Sequence, residues 1–210
     1  MGVTTLGIAS PVQAASTPLP RVVTAEGRHQ LQVDGKPYLI LGAQVNNSSG
    51  WPEMLPQVWP AIEALHANTV QVPIGWGQVE PTQGRFDFSF LDTLVTQARE
   101  HNVRLVLLWF ATWKNNGPNY APSWVKLDNK RYPRVVKKDG STLGSLSPLG
   151  TATLEADRNA FVALMKHLRQ IDGDRHTVIM VQVENESGTY GSDRDYSAAG
   201  DKLLQSPVPA

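Results

Sequence analysis

Val178-Ile179-Met180-Val181-Gln182-Val183-Glu184-Asn185-Glu186-Ser187-Gly188-Thr189-Tyr190-Gly191 begins as a buried strand and ends in two carboxylates followed by a small-residue loop. The apolar, β-branched first half suits a strand inside a sheet. In an ideal strand Gln182, Glu184 and Glu186 share one face, and Val183 and Asn185 the other. The two glutamates are then about 6.6 Å apart, at roughly 3.3 Å per residue. Polar residues at the carboxyl end of a buried strand are characteristic of α/β proteins whose site is built from strand ends.

Three further strands are legible upstream. Leu31 to Gly42 reads as a hairpin turning at Asp34-Gly35, with a second arm so apolar that it should be covered on both faces. Val58 to Ala67 has helical periodicity through Val58, Ile62 and Leu65, and Asn68 to Ile74 reads as a short strand closed by Pro73. A second helix starts near Asp87 or Ser89, with Phe90, Leu91, Leu94, Val95 and Ala98 on one stripe. Val103 to Trp109 is continuously apolar, as a buried parallel strand should be. A long loop, Ala111 to Leu146, follows, and loops of that length in compact domains are usually functional. The last helix is expected from about Ser147-Pro148 to Gln170, with Phe161, Leu164, Met165 and Leu168 facing inward, ahead of a strand from Thr177 to Val183.

Strands alternating with helices imply parallel βαβ units with right-handed crossovers, in an open sheet or a barrel. The glycine fingerprints of nucleotide-binding sheets are absent. Polar and aromatic residues instead follow each strand: Asn46 and Asn47, then Trp76, then Trp109 and Trp113, then Asn185 and Glu186. That distribution predicts an α/β chain of the (β/α)8 TIM barrel type holding about the first four strands.

Composition narrows the function. Lys plus Arg equals Asp plus Glu at 19 each, so no net field favours nucleic acid or an anionic membrane. A neutral, polyhydroxylated partner is compatible with that balance, which does not by itself select one, and oligomeric state is left open. Without cysteine there is no disulfide, thiolate metal site or cysteine nucleophile. The five histidines lack ligand spacing and are expected at the surface, so no metal and no cofactor are called for. Residues 1–27 read as a leader, either a signal remnant ending near Val12-Gln13-Ala14 or a plain disordered start. The first implies a periplasmic or secreted protein and the second a cytoplasmic one. Residues 28–210 form the domain.

The adjacent glutamates are not expected to act as a catalytic pair. A retaining glycosidase needs its two carboxyl groups on different sides of the anomeric carbon, and neighbours on one strand cannot straddle the bond. Glu184 is expected inside the barrel, bonded to an inward cation or polar group, because an unpaired buried carboxylate is costly. Glu186, where strand gives way to loop, can reach a ligand as general acid and then base, with Asn185 donating to a sugar hydroxyl. A Glu-Asn-Glu at a strand end is also compatible with a solvated loop entrance. Trp76, Trp109 and Trp113 are read either as core or as sugar-stacking groups, and Trp59, on a helix, as core.

Gln182-Val183-Glu184-Asn185-Glu186 with the following Gly-x-Tyr-Gly resembles the Q-V-E-N-E signature of glycoside hydrolase family 35 β-galactosidases. Trp76-Gly77-Gln78-Val79-Glu80-Pro81-Thr82-Gln83-Gly84-Arg85-Phe86-Asp87-Phe88 resembles a segment shared by families 35 and 42, and Pro122-Ser123-Trp124 a P-x-W loop. The resemblance runs from about Arg28 to Tyr196. It implies a retaining hydrolase of β-galactosides, with Glu186 as acid/base and Asn185 as a substrate-binding neighbour; Asn46, Trp76, Trp109, Trp113 and Glu184, read from their places at strand ends, complete the expected substrate residues. The nucleophile it implies comes from the seventh strand, beyond the chain end, so the chain alone is expected to be inactive. Val79 and Trp113-Lys114 depart from the family 35 pattern of a His before Glu-Pro and a Glu-Trp after the third strand. The alternatives are a non-catalytic carbohydrate-binding half-barrel, or an enzyme of the same clan acting on a β-glucan or mannan.

Overall fold

The computed structural model describes residues 17–114 and 117–208, so the first sixteen residues of the expected leader lie outside it. Within the described part, order starts earlier than residue 28. Strand β1 (Arg21–Ala25) pairs antiparallel with β2 (Arg28–Val33), which pairs with the two-residue β3 (Lys36–Pro37). Asp34 and Gly35 turn the second hairpin with φ of 53° and 75°, both left-handed, as a type I′ turn requires.

The hairpin's second arm is shorter than its composition suggested. Leu39 and Leu41 are outside any strand and 75% and 56% exposed, and the chain enters the main sheet only at β4 (Gly42–Gln44). From there it runs through α1 (Leu55–Ala64), β5 (Thr69–Gly75), the single turn α2 (Trp76–Val79), α3 (Ser89–Glu100) and β6 (Arg104–Phe110). The long segment after β6 is not structureless. It contains α4 (Ser123–Lys126) and an antiparallel pair, β7 (Arg134–Val136) and β8 (Thr142–Leu146). Helix α5 (Thr151–Asp172), strand β9 (Val178–Val183) and helix α6 (Ala198–Leu204) complete it. Gly150, not Ser147, occupies the cap position of α5.

The main sheet has the order β4-β5-β6-β9 and every pairing in it is parallel. α1, α3 and α5 are the crossovers, so the architecture is α/β, four consecutive strands of a (β/α)8 barrel. β5 does not stop at Pro73: it continues to Gly75, with Pro73 opposite Leu108. Val45 donates to the Gln71 carbonyl, so the same edge of β5 two residues on, at Pro73, faces the side where β4 has already ended. The missing N–H therefore costs no ladder bond.

Alternation along the strands divides the core. Val70, Val72 and Ile74 of β5 and Leu105, Leu107 and Trp109 of β6 face the helices. There they meet Leu55, Trp59 and Ile62 of α1, the expected stripe of α3, and Leu164 of α5. Leu94 is fully buried, and its truncation to alanine would cost about 2–5 kcal/mol. On the other face Val106, Leu108, Phe110 and Ile179 form a smaller cluster with Val33, and Leu31 and Tyr38 of the hairpin pack against it. The hairpin thus plugs the inner face. It is tied to the strand starts through Asp34, which accepts from Arg104 Nη2 at 2.6 Å and bonds His176 Nδ1 at 2.9 Å. His176 is therefore buried, against the expectation of a surface histidine, because it lies under this hairpin.

Candidate active site at the carboxyl ends of the strands

β9 ends at Val183, paired with Trp109 on the helix-facing side. The next residues break the alternation. Glu184 and Glu186 have φ of 63° and 55°, a left-handed backbone that costs a non-glycine residue roughly 1–2 kcal/mol. The three residues from 184 to 186 therefore do not present one carboxylate face, as an ideal strand would.

Glu184 turns toward α5. Its Oε2 accepts the Trp113 N–H at 2.8 Å and its Oε1 the Thr112 N–H at 3.3 Å. Asp157, buried on α5, accepts from Trp109 Nε1 at 2.9 Å and from the backbone N–H and hydroxyl of Thr112. The two carboxyls meet around Thr112. Burial, followed by the hydrogen bond to Asp157 and the charge of Asp157, pushes Glu184 up to about 9, against the Trp113 and Thr112 N–H groups that favour its ionised form. At neutral pH Glu184 holds a proton and offers it to Asp157. The expected polar partners are thus present, but they are backbone donors and a second carboxyl in place of a cation, on the helix side in place of the barrel interior.

Asn185 and Glu186 meet a residue from the other strand end. Lys114 Nζ donates to Asn185 Oδ1 at 2.8 Å and lies 3.7 Å from Glu186 Oε2. The same ammonium sits 5.0 Å from the centroid of Phe110, a member of the inner-face cluster, so this trio stands on the inner side of the sheet. The Lys114 side chain is 11% exposed and that of Glu186 44%. One carboxyl group at this strand end is thus locked behind the sheet and the other is accessible in front of it.

The aromatic residues are placed differently from the sugar-stacking reading. Trp76 is fully buried, with its indole N–H on Glu80 Oε2 at 2.9 Å and its ring edge-on to Trp124. Trp109 is buried with its N–H on Asp157 and its ring against Phe161 of α5. Both indoles are committed to the core: Trp109 because its parity on β6 points it at the helices, and Trp76 because it opens α2 directly beyond β5 and packs into the same cluster. Trp113 is also buried, though it borders the loop after Glu186. Asn46 is exposed, and its Oδ1 caps its own turn by accepting from the Ser48 N–H and hydroxyl. Of the expected substrate residues, the structure gathers Asn185 and Glu186, with Glu184 as their support.

Lys114, Thr112 and Asp157 join the site although no sequence motif marks them. For Asp157 a signal existed: Thr153, Asp157, Ala160 and Leu164 fall at helical spacing, which marks an acidic residue on the buried stripe of α5. For Lys114 the only sign was its departure from a family pattern. Among the described residues no three His, Asp or Glu side chains converge as a metal site.

The chain is thus a parallel β/α half-barrel with an asparagine and an accessible carboxylate at the carboxyl end of its fourth strand. A family profile described as Beta-galactosidase, glycoside hydrolase family 42, matches residues 48–205, and the chain belongs to that family. It is 30% identical over 204 residues to a β-galactosidase of Xanthomonas manihotis, spanning 92% of this chain and 31% of that protein. It is 28% identical over 169 residues to β-galactosidase 17 of Arabidopsis thaliana, spanning 78% and 22%. The fold matches a β-galactosidase crystal structure from the psychrophilic Marinomonas ef1 with a TM-score of 0.60 at 16% identity. That match covers 77% of this chain and 24% of the other. The chain thus spans about a third or less of the length of these relatives.

Proposed function

We propose that the chain supplies the acid/base side of a retaining glycosidase site acting on terminal β-galactosides or a related β-glycoside. The observation that carries this reading is the placement of Glu186, accessible on the inner side of the sheet beside Asn185, while Glu184 is held behind the sheet. In the first step Glu186 gives its proton to the glycosidic oxygen as a nucleophilic carboxylate forms the glycosyl-enzyme. In the second it takes a proton from the attacking water. Asn185 binds the sugar next to it.

Glu184 is not the nucleophile, because both its oxygens are engaged on the α5 side. No described residue of this chain is assigned that role. Trp76 and Trp109, the aromatic floor expected of a purely carbohydrate-binding half-barrel, are buried, which removes the support those two residues gave that reading. The test is turnover of an aryl β-galactoside by a protein carrying this chain within a complete barrel, with and without Glu186→Gln. Full activity in the variant would remove the assignment.

A further inference from the structure

The geometry points to Lys114 as a positioning residue that fixes which end of the Asn185 amide faces the sugar. This rests on the proposed roles of Asn185 and Glu186. An ammonium carries only donors, so Asn185 must turn its oxygen toward Lys114, and at 2.8 Å that oxygen is engaged. The amide Nδ2 is thereby directed away from Lys114 and acts as a donor. Lys114 is itself held in place: its side chain is buried over the Phe110 ring and within 3.7 Å of Glu186 Oε2. One cation therefore contacts two successive residues that lie beyond the end of β9.

The chemical consequence concerns the substrate. A donor at Asn185 meets a sugar oxygen that accepts, and in a retaining mechanism the contact at the 2-hydroxyl is the one that strengthens toward the transition state. Lys114 thus acts on catalysis without touching the sugar. Losing it frees the Asn185 amide to rotate, and a misplaced contact of that kind costs up to about a hundredfold.

The experiment compares an aryl β-galactoside with its 2-deoxy analogue in a protein carrying this chain within a closed barrel and in its Lys114→Met and Lys114→Arg variants. Lys114→Met should lose about tenfold to a hundredfold in kcat/KM on the galactoside, mostly in kcat, and far less on the 2-deoxy analogue. Lys114→Arg, which keeps a donor-only cation, should retain most of the preference for the hydroxylated sugar. Equal losses on both substrates, or none, would overturn the proposal. Wild-type turnover by Glu186→Gln would instead sink the acid/base reading alone. The 210-residue chain gives a readout that needs no turnover. The side-chain amide protons of Asn185 should shift in the NMR spectrum of Lys114→Met and stay near their wild-type positions in Lys114→Arg, with thermal midpoints showing both variants folded. An Asn185 amide unmoved by Lys114→Met contradicts the proposal.

Discussion

The Glu184 carboxyl accepts the backbone N–H of Trp113 at 2.8 Å, which fastens the end of β9 to the end of β6 one residue before Lys114 and two before Glu186. The bond is a structural one made by a carboxyl group at the carboxyl end of the fourth strand of the sheet. It sets the separation of the two chain segments that meet as Lys114, Asn185 and Glu186.

Because this carboxyl is protonated in the fold, stability should depend on pH in a definite direction. Glu184 has an ordinary value of 4.5 and is raised to about 9 in the folded chain. Below about 4.5 both states hold the proton and its contribution is fully present. Between about 4.5 and 9 the unfolded chain ionises while the folded one does not, so the contribution is progressively lost as pH rises and levels off above 9. Urea midpoints measured from pH 5 to 9.5 should fall more steeply for the wild type than for Glu184→Gln, whose amide cannot ionise. Parallel curves would contradict the protonated pair.

Glu184→Ala should be more damaging than Glu184→Gln. Alanine leaves the Trp113 N–H without its acceptor, a loss of about 1–3 kcal/mol for a buried donor, whereas glutamine keeps a carbonyl oxygen in reach. Chemical denaturation of both variants at pH 7 measures the difference.

Trp109→Phe separates core from subsite. The indole N–H bonds Asp157 inside the core, so the variant should lose about 1–2 kcal/mol of stability and leave KM for a β-galactoside unchanged. A large rise in KM with unchanged stability would return Trp109 to the sugar.

Asp34→Ala should loosen the plug of the inner face. Asp34 holds Arg104 and His176 at the starts of β6 and β9, and removing it leaves the buried imidazole without that partner. A stability loss of about 1–3 kcal/mol is expected, together with faster amide hydrogen exchange in β2.

Local pattern made much of this fold readable. The stripe Phe90 to Ala98, the continuous apolar run of β6 and the Asp34-Gly35 turn each follow from nearby chemistry, and each is present in the structure. Leu39 and Leu41 misled because apolar composition does not tell a covered strand from an exposed segment. Pro73 misled because its tolerance depends on where the neighbouring strand stops. At the site, Glu186 and Asn185 could be placed at a strand end from sequence. The face of Glu184 could not, since alternation fails once the backbone turns left-handed, and Lys114 reaches Asn185 across 71 residues of chain that no local pattern connects.

The most direct test of Glu186 as acid/base is chemical rescue, in a protein that carries this chain within a closed barrel. With an aryl β-galactoside whose leaving group is poor, Glu186→Gln should lower kcat by about 10²–10⁴. With an activated leaving group, added azide should restore turnover and give a galactosyl azide of retained configuration. Unchanged kcat in Glu186→Gln, or a deficit that azide leaves untouched while the glycosyl-enzyme accumulates, would contradict the assignment.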